Sequence, residues 1–241
     1  DKLLLPMINI DNINKSYNDI DFLIEEKKFQ TIRKYLSNIV DLERMKRKMI
    51  LNKMPPLEWV VFNESICYAI KIYNDLKIND PGITLEEINN IISSFEDYID
   101  LDNASKYNLT DKNNLGNFFK KGVYPDIDEN VDKSHESLKI IENYTNQIIS
   151  LGKNDSTYCK IDNNDREGYY IIITKKRYET AVKQNKNLMN NFNTKIMNAS
   201  QNYKITNNEI AKESNNINTY NEKISKLVFN KYTEFMNNFV E

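Results

Sequence analysis

The stretch GYYIIITKKRY, residues 168–178, is the strongly β-prone run in a chain whose other long patterns are helical. Two aromatic residues followed by three β-branched residues predict a short strand, because such side chains pack well on a pleated surface. A partner strand is predicted over residues 156–161, and the polar connection between the two, with two Asn and a Gly, suits a turn. The sequence therefore predicts a β-hairpin at this point.

Long helical patterns flank this hairpin, over about residues 127–151 before it and 206–240 after it. In the second pattern Ile210, Ile217 and Ile224 lie seven apart, a thin stripe suited to pairing with one neighbouring helix, and the denser apolar run beyond them suits a bundle. The spacing of Thr206 and Glu209 predicts a capping box at its start. The predicted fold class is mainly α: a helical bundle with a long antiparallel helical arm pair that carries a small β-containing tip.

The first half of the chain shows apolar residues three and four apart, which predict helices over about 13–24, 29–50 and 57–76. Pro55 and Pro56 end the second of these, because proline lacks an N–H and disfavours a helical residue before it. Thr84 and Glu87 have capping-box spacing, and the helix that they open is expected to reach about Ile99. Residues 101–119 are predicted to be a connecting loop.

Composition excludes several classes of protein. The chain has 241 residues, one His and two Cys, so a zinc site of the Cys/His type is excluded. Cys67 and Cys159 are predicted to be buried thiols of a reducing compartment. No apolar run approaches the 18 residues of a membrane span. The chain begins without Met, and we expect it to be part of a longer protein.

Positive charge is concentrated after the hairpin. Residues 171–208 hold seven basic side chains and one acid, Glu179, for a net charge of +6; since the whole chain carries −2, the remainder carries −8. A basic element on an acidic protein is typical of nucleic-acid binding, because neutralising phosphates releases counterions. The alternative is a lysine-rich solvated surface without a ligand.

Catalytic patterns are missing from the sequence. It contains no glycine-rich phosphate loop, and His135 lies in a polar helix where a surface position is expected. Trp59 lies on a wide apolar stripe and is predicted to be a core residue. An enzymatic activity of this chain is therefore not expected.

Several segments together resemble the MutS family of DNA mismatch repair proteins, over nearly the whole chain. Leu4-Leu5-Pro6, followed by residues 17–23, is similar to the start of the family's core, and residues 41–44 read DLER, a family signature. Residues 118–128 resemble the family's GYDPELD segment at the entry to the clamp arms, and residues 168–174 resemble GYYIEVT in the clamp. The four segments follow in the family's order and spacing.

One departure concerns the TLKNAER segment of the family's clamp, whose polar groups approach the DNA backbone. The matching residues here are 194–203, and the family's Arg position reads Asn202. The predicted contacts therefore shift towards the other basic residues. The predicted DNA-binding residues are Lys175, Lys176, Arg177, Lys183, Lys186, Lys195, Asn198 and Lys204.

The resemblance implies three domains: residues 1–127 as the first part of the core (lever) helices, 128–223 as clamp arms and β tip, and 224–241 as a return helix into the core. It implies double-stranded DNA and a MutS-type dimer partner as partners, no membrane, and an intracellular location such as the nucleus or another DNA-containing compartment. The mismatch-reading and ATPase domains are not in this sequence, so no cofactor is expected here; ATP and Mg²⁺ would belong to the parent's ATPase domain. The alternative is a coiled-coil interaction scaffold without DNA binding.

Overall fold

A computed structural model of the chain describes residues 8–25, 28–76, 84–107, 116–164, 166–197 and 201–240. The fold is mainly α with a small antiparallel β-sheet, as the sequence predicts. The chain divides into two compact units, one of Asp1–Ser105 with Met236–Glu241 and one of Lys106–Phe235. The predicted domain boundaries at 127 and 223 stay predictions.

The first unit consists of helices and the end of the last helix of the chain. Its helices are α1 (Ile10–Glu25), α2 (Phe29–Leu36), α3 (Leu42–Ile50), α4 (Leu57–Leu76), α5 (Leu85–Glu96) and α6 (Leu101–Lys106). Trp59 is fully buried, as predicted, and its ring packs against Phe95 and edge-on against Phe239 at centroid distances of 5.3 and 4.8 Å. These aromatic contacts form the centre of the unit's core.

Two helix boundaries in this unit follow from side-chain caps. The capping box predicted at Thr84 is present: its hydroxyl accepts from the N–H of Glu87, whose carboxylate accepts from the N–H of Thr84. The helix predicted over 29–50 is two helices, because Asp41 adopts an extended conformation and its carboxylate accepts from the N–H of Arg44 at 2.9 Å. The DLER segment is thus a helix start. The loop predicted over 101–119 contains helix α6, and residues 108–115 lie outside the described part.

The second unit holds the sheet. Its elements are α7 (Pro125–Leu151), β1 (Cys159–Asn164), β2 (Gly168–Thr174), α8 (Lys175–Gln184), α9 (Lys186–Met189), β3 (Asn193–Ile196), β4 (Asn202–Thr206) and α10 (Asn208–Val240), the last of which ends in the first unit. The strands pair antiparallel in the order β1-β2-β4-β3. The predicted hairpin is present as β1 and β2, but β1 lies three residues later than the predicted strand over 156–161, so residues 162–164 of the predicted turn belong to it. Strands β3 and β4 extend the hairpin to four strands.

Helices α7 and α10 are the antiparallel pair that the sequence predicts. The hydroxyl of Ser134 donates to the Asn221 side chain at 3.2 Å, and the Tyr144 hydroxyl donates to the Glu209 carboxylate. As residue numbers increase along α7, the numbers of their contacts on α10 decrease, so the two helices are antiparallel. The predicted stripe of Ile210, Ile217 and Ile224 is buried. The predicted cap at Thr206 is wrong: Thr206 belongs to β4, and Asn207 accepts from the N–H of Ile210 at 2.6 Å.

One face of the sheet and the helices share a hydrophobic core. Ile171, Ile173 and Ile205 of the sheet are buried together with Ile148 of α7 and Ile210 of α10. Since side chains alternate along a strand, residues 170 and 172 of β2 and residues 204 and 206 of β4 point to the opposite face. We call that opposite side the outer sheet face.

Candidate nucleic-acid interface

Helix α8 begins directly at the end of strand β2. Thr174 is extended, and its hydroxyl accepts from the N–H of Arg177, which caps the helix. Asn185 in turn caps α9 by accepting from the N–H of Leu188 at 3.0 Å. The two short helices carry four exposed lysines, which we call the α8–α9 lysine surface: Lys175, Lys176, Lys183 and Lys186.

The direction of these lysines follows from the burial of one alanine. Ala181 is fully buried in the core of the sheet, which fixes the inner side of α8. Lys176 and Lys183 lie seven residues apart, two turns of helix, and therefore project from one side, away from Ala181. The acid on this side is Glu179, also exposed. Within the described ranges no carboxylate lies within ion-pair distance of the four lysines, so their charge faces solvent.

The start of α8 is hydrogen-bonded to the residue that precedes β4. The N–H of Lys175 donates to the carbonyl of Gln201 at 2.8 Å, and the N–H of Met197 donates to the carbonyl of Asn202 at 3.1 Å. Lys175 and Gln201, the residue before β4, therefore lie at the same end of the sheet. The predicted site residue Asn198 belongs to the connection between β3 and β4 but lies outside the described residues.

Arg177 has a different environment from its lysine neighbours. Its guanidinium donates to the carbonyls of Thr157 and Tyr158, lies 3.6 Å from the Asp155 carboxylate and stands over the Tyr158 ring. The Tyr158 hydroxyl donates back to the carbonyl of Arg177 at 2.7 Å. Arg177 thus joins α8 to the segment before β1, and its role as a DNA ligand stays a prediction.

Lys195 and Lys204 lie on the outer sheet face, directly opposite each other on β3 and β4. Lys204 is 9% exposed; its ammonium is 2.5 Å from the Glu167 carboxylate and 4.0 Å from the centre of the Tyr170 ring. Lys195 is exposed and 3.9 Å from the same carboxylate. The hydrogen bond from Lys204 and then its positive charge hold the pKa of Glu167 below its ordinary value. Both lysines stay predicted DNA ligands.

The seven predicted site residues that the structure describes therefore do not form one surface. Four lie on α8 and α9, the guanidinium of Arg177 binds the segment before β1, and Lys195 and Lys204 lie on the outer sheet face. Sequence reasoning missed Glu167 and Tyr170 as partners of Lys204 because it missed strands β3 and β4. The alternation of Tyr203, Lys204 and Ile205 is a weak signal that could have indicated β4.

Two general features bear on the kind of site. Across the described residues, no three His, Cys, Asp or Glu side chains come close enough together to hold a metal ion. None of the helices in the same ranges combines the length and apolar character needed to cross a bilayer. His135 is exposed, as predicted.

Comparison with known proteins gives a consistent similarity. No protein-family model matches the chain. A protein of Acanthamoeba polyphaga mimivirus named as a mutS homologue of DNA mismatch repair is 30% identical over 205 residues, 76% of this chain and 17% of its own length. The DNA mismatch repair protein MutS of Persephonella marina is 29% identical over 178 residues, 72% of this chain and 20% of its own. The MutS protein of Petrotoga mobilis is 23% identical over 181 residues, 72% and 21% respectively.

The chain spans about a fifth of the length of the curated relatives it matches. Three quarters of this chain nevertheless take part in the similarity. Over about three quarters of its length the chain is therefore distantly similar to MutS DNA mismatch repair proteins.

Proposed function

From this distant similarity we propose that the chain is the lever and clamp part of a MutS-like DNA mismatch repair protein, and that it binds the backbone of duplex DNA without reading its sequence. The observation that carries the proposal is the α8–α9 lysine surface. It presents four exposed ammonium groups, and no carboxylate of the described residues lies within ion-pair distance of them. Residues 1–127 and 224–241 would form the lever, and residues 128–223 the clamp.

Lysine is suited to contact with the phosphate backbone. Its ammonium is a compact point charge with rotatable donors, so it fixes less hydrogen-bond geometry at a base edge than the planar fork of Arg. Contacts to phosphate position a protein on the duplex but carry no sequence information. The surface therefore predicts equal affinity for matched and mismatched DNA.

In the parent protein, DNA contact at the clamp and nucleotide binding at an ATPase domain would be linked through long helices. Rigid elements with two discrete packings are suitable carriers of such coupling. The partners in this proposal are double-stranded DNA and a MutS-type dimer partner, with ATP and Mg²⁺ bound by the parent's ATPase domain, in a compartment that contains DNA.

The test is a titration of the chain against fluorescent matched duplex, mismatched duplex and single strand at several salt concentrations. We expect weak binding of both duplexes alike, with a log–log salt slope of about −3 to −4 if each of the four lysines neutralises one phosphate. Mismatch preference in this chain would contradict the proposed division between clamp and mismatch reader.

A matched pair of variants separates a local surface from general charge. Reversal of the four surface lysines to Glu should abolish binding. Reversal of four exposed lysines on α7 and α10 makes the same change in net charge and should leave most of the affinity: Lys139, Lys212, Lys223 and Lys226. No duplex binding by the unaltered chain at low salt, with the fold intact, would favour the coiled-coil scaffold instead.

A further inference from the structure

The outer sheet face contains a like-charged pair that needs an anion. Lys195 and Lys204 face each other directly on neighbouring strands, an arrangement that is destabilising by itself. The Glu167 carboxylate, from the turn between β1 and β2, lies between them, with one oxygen 2.5 Å from Lys204 and the other 3.9 Å from Lys195. The carboxylate therefore occupies a position between two ammonium groups that another oxyanion could occupy.

The surroundings of this carboxylate have the composition of a phosphate site. A cavity of about 360 Å³ adjoins it and is lined by both lysines and by a second cross-strand pair, Asn193 and Thr206. Tyr169, Thr194 and Ala211 complete its lining at the edge of the sheet. Asn193 and Thr206 lie two positions along their strands from the lysines, so their amide and hydroxyl groups point to the same face. Two ammonium groups, a hydroxyl and an amide are donors that suit the several oxygens of a phosphate group.

The two lysines are held to different degrees. Lys204 is nearly buried and fixed over the Tyr170 ring, so its position is set by the fold. The side chain of Lys195 is 79% exposed and only loosely paired. Lys204 thus supplies a fixed charge, and Lys195 supplies one that can move onto an incoming anion.

We propose that this cavity is a binding site for a phosphate-type oxyanion, and that the Glu167 carboxylate occupies the anion position until a phosphate displaces it. The site is separate from the α8–α9 lysine surface, since it is built on the opposite face of the sheet from the core against which α8 packs. The phosphate can belong to a nucleic-acid backbone or to a free small molecule, and the chemistry that recognises it is the same.

The test is a calorimetric titration with inorganic pyrophosphate at low salt. It compares the unaltered chain with Glu167→Gln. The substitution removes the competing charge and keeps the shape of the side chain, so we expect at least tenfold tighter binding. Glu222→Gln removes one exposed carboxylate on α10 and should leave the affinity unchanged. Adding Lys195→Met to the Glu167→Gln chain should remove the gain. Equal affinities for the Glu167 and Glu222 variants would overturn the proposal.

A second variant covers the case in which Glu167→Gln does not fold. Glu167→Asp keeps the negative charge that balances Lys204, but its side chain is one methylene shorter. We therefore expect a smaller gain in pyrophosphate affinity than for Glu167→Gln. No gain in a folded Asp variant, when the Gln variant does not fold, would equally refute the site.

Duplex DNA serves as the second ligand and identifies the source of the phosphate. If Glu167→Gln binds both pyrophosphate and duplex more tightly, the site takes nucleic-acid backbone; if only pyrophosphate gains, it takes a free phosphate compound. The pyrophosphate result does not depend on the α8–α9 lysine surface, so the chain with those four lysines reversed should retain the gain. If the clamp proposal fails, the pyrophosphate affinity of Glu167→Gln therefore still tests the phosphate site.

Discussion

The N–H of Tyr169 donates a hydrogen bond to the hydroxyl of Ser214 at 2.7 Å, across 45 residues of sequence. Ser214 is 2% exposed, so the first residues of β2 are attached directly to the buried side of α10. Such close contact is possible because the preceding residue is Gly168, which has φ +68° and no side chain. This attachment fixes the predicted β-hairpin on the helical arm.

Substitution of Gly168 by Ala should destabilise the chain severely. A Cβ at this position would lie 2.0 Å from the Ser214 hydroxyl oxygen, and the backbone conformation is in the left-handed region. Left-handed strain and overpacking together should lower the free energy of unfolding by about 3 kcal/mol. Gly116→Ala, where an added Cβ meets nothing within 4 Å, is the matched control and should change stability by less than about 0.5 kcal/mol.

A double substitution tests whether Ser214 is the cause. Because its hydroxyl oxygen is the nearest atom to the added Cβ, Gly168→Ala with Ser214→Ala should cost clearly less than the sum of the two single changes in urea unfolding. Additive effects would show that the steric contact is not what makes glycine necessary.

Arg177 should matter for stability more than for DNA binding. Arg177→Met removes the donors to two carbonyls and the charge beside Asp155, so we expect a loss of about 1–3 kcal/mol in the free energy of unfolding. Arg177→Lys should recover little of it, because an ammonium cannot reproduce the planar fork of donors. Thermal and urea unfolding measure the effect.

Lys176→Met is the control for this comparison. Lys176 is exposed beside Arg177 in sequence, and its loss should reduce duplex affinity while stability changes by less than about 0.5 kcal/mol. The opposite pattern, in which the Arg177 variant is stable but binds DNA poorly, would identify Arg177 as a phosphate contact after all.

The sequence predicted the long elements and missed the short ones, for a physical reason. Helices α7 and α10 carry apolar residues at a sustained spacing over many turns, and their pairing follows from it. Strands β3 and β4 have four and five residues, too few for alternation to stand out from chance. The partners of Lys204 were unpredictable for the same reason, since Glu167 reaches it from 37 residues away through that sheet.

The two cysteines show a similar limit. Both were predicted to be buried, and for Cys67 this is wrong, because the side of α4 that carries it faces solvent; Cys159 is buried in the core of the sheet. Residue type alone favours burial of a free thiol but does not indicate which side of a helix is covered.

Thiol chemistry should therefore distinguish the two positions. Burial raises the pKa of the Cys159 thiol to about 11, so it stays protonated and shielded at pH 8. A disulfide reagent at pH 8 should modify one thiol per native chain, and Cys67→Ser should abolish this reaction. Rapid modification of two thiols without unfolding would show that the core around Cys159 opens easily.

The raised pKa also has a consequence at high pH. The thiol of the unfolded chain loses its proton at a lower pH than the thiol of the folded chain. The contribution of the protonated Cys159 thiol to the free energy of unfolding is therefore fully present below pH 9 and is lost as pH rises through about 11. Cys159→Ala should reduce this part of the alkaline loss, measured by urea unfolding between pH 8 and 11.

Glu213 should make the arm pair sensitive to acid. This carboxylate is 7% exposed on α10, and hydrogen bonds from Ser137 of α7 and then from Asn216 hold its pKa below the ordinary value. Because the folded pKa is lowered, its contribution is present above the unfolded value near 4.5 and is lost as pH falls through the folded value. Glu213→Gln should therefore lower the free energy of unfolding at pH 7 by about 1.5–3 kcal/mol, the range for hydrogen bonds to a charged group.

The pH dependence of the free energy of unfolding distinguishes a role of the Glu213 charge from a role of its packing. If the charge of Glu213 is responsible, the difference between Glu213→Gln and the unaltered chain should shrink as the pH falls from 6 to 3, because the carboxyl of the unaltered chain becomes neutral as well. Glu222→Gln, an exposed carboxylate on the same helix, should show no such convergence. A constant difference at every pH would mean that the shape of the Glu213 side chain, and not its charge, joins the two arms.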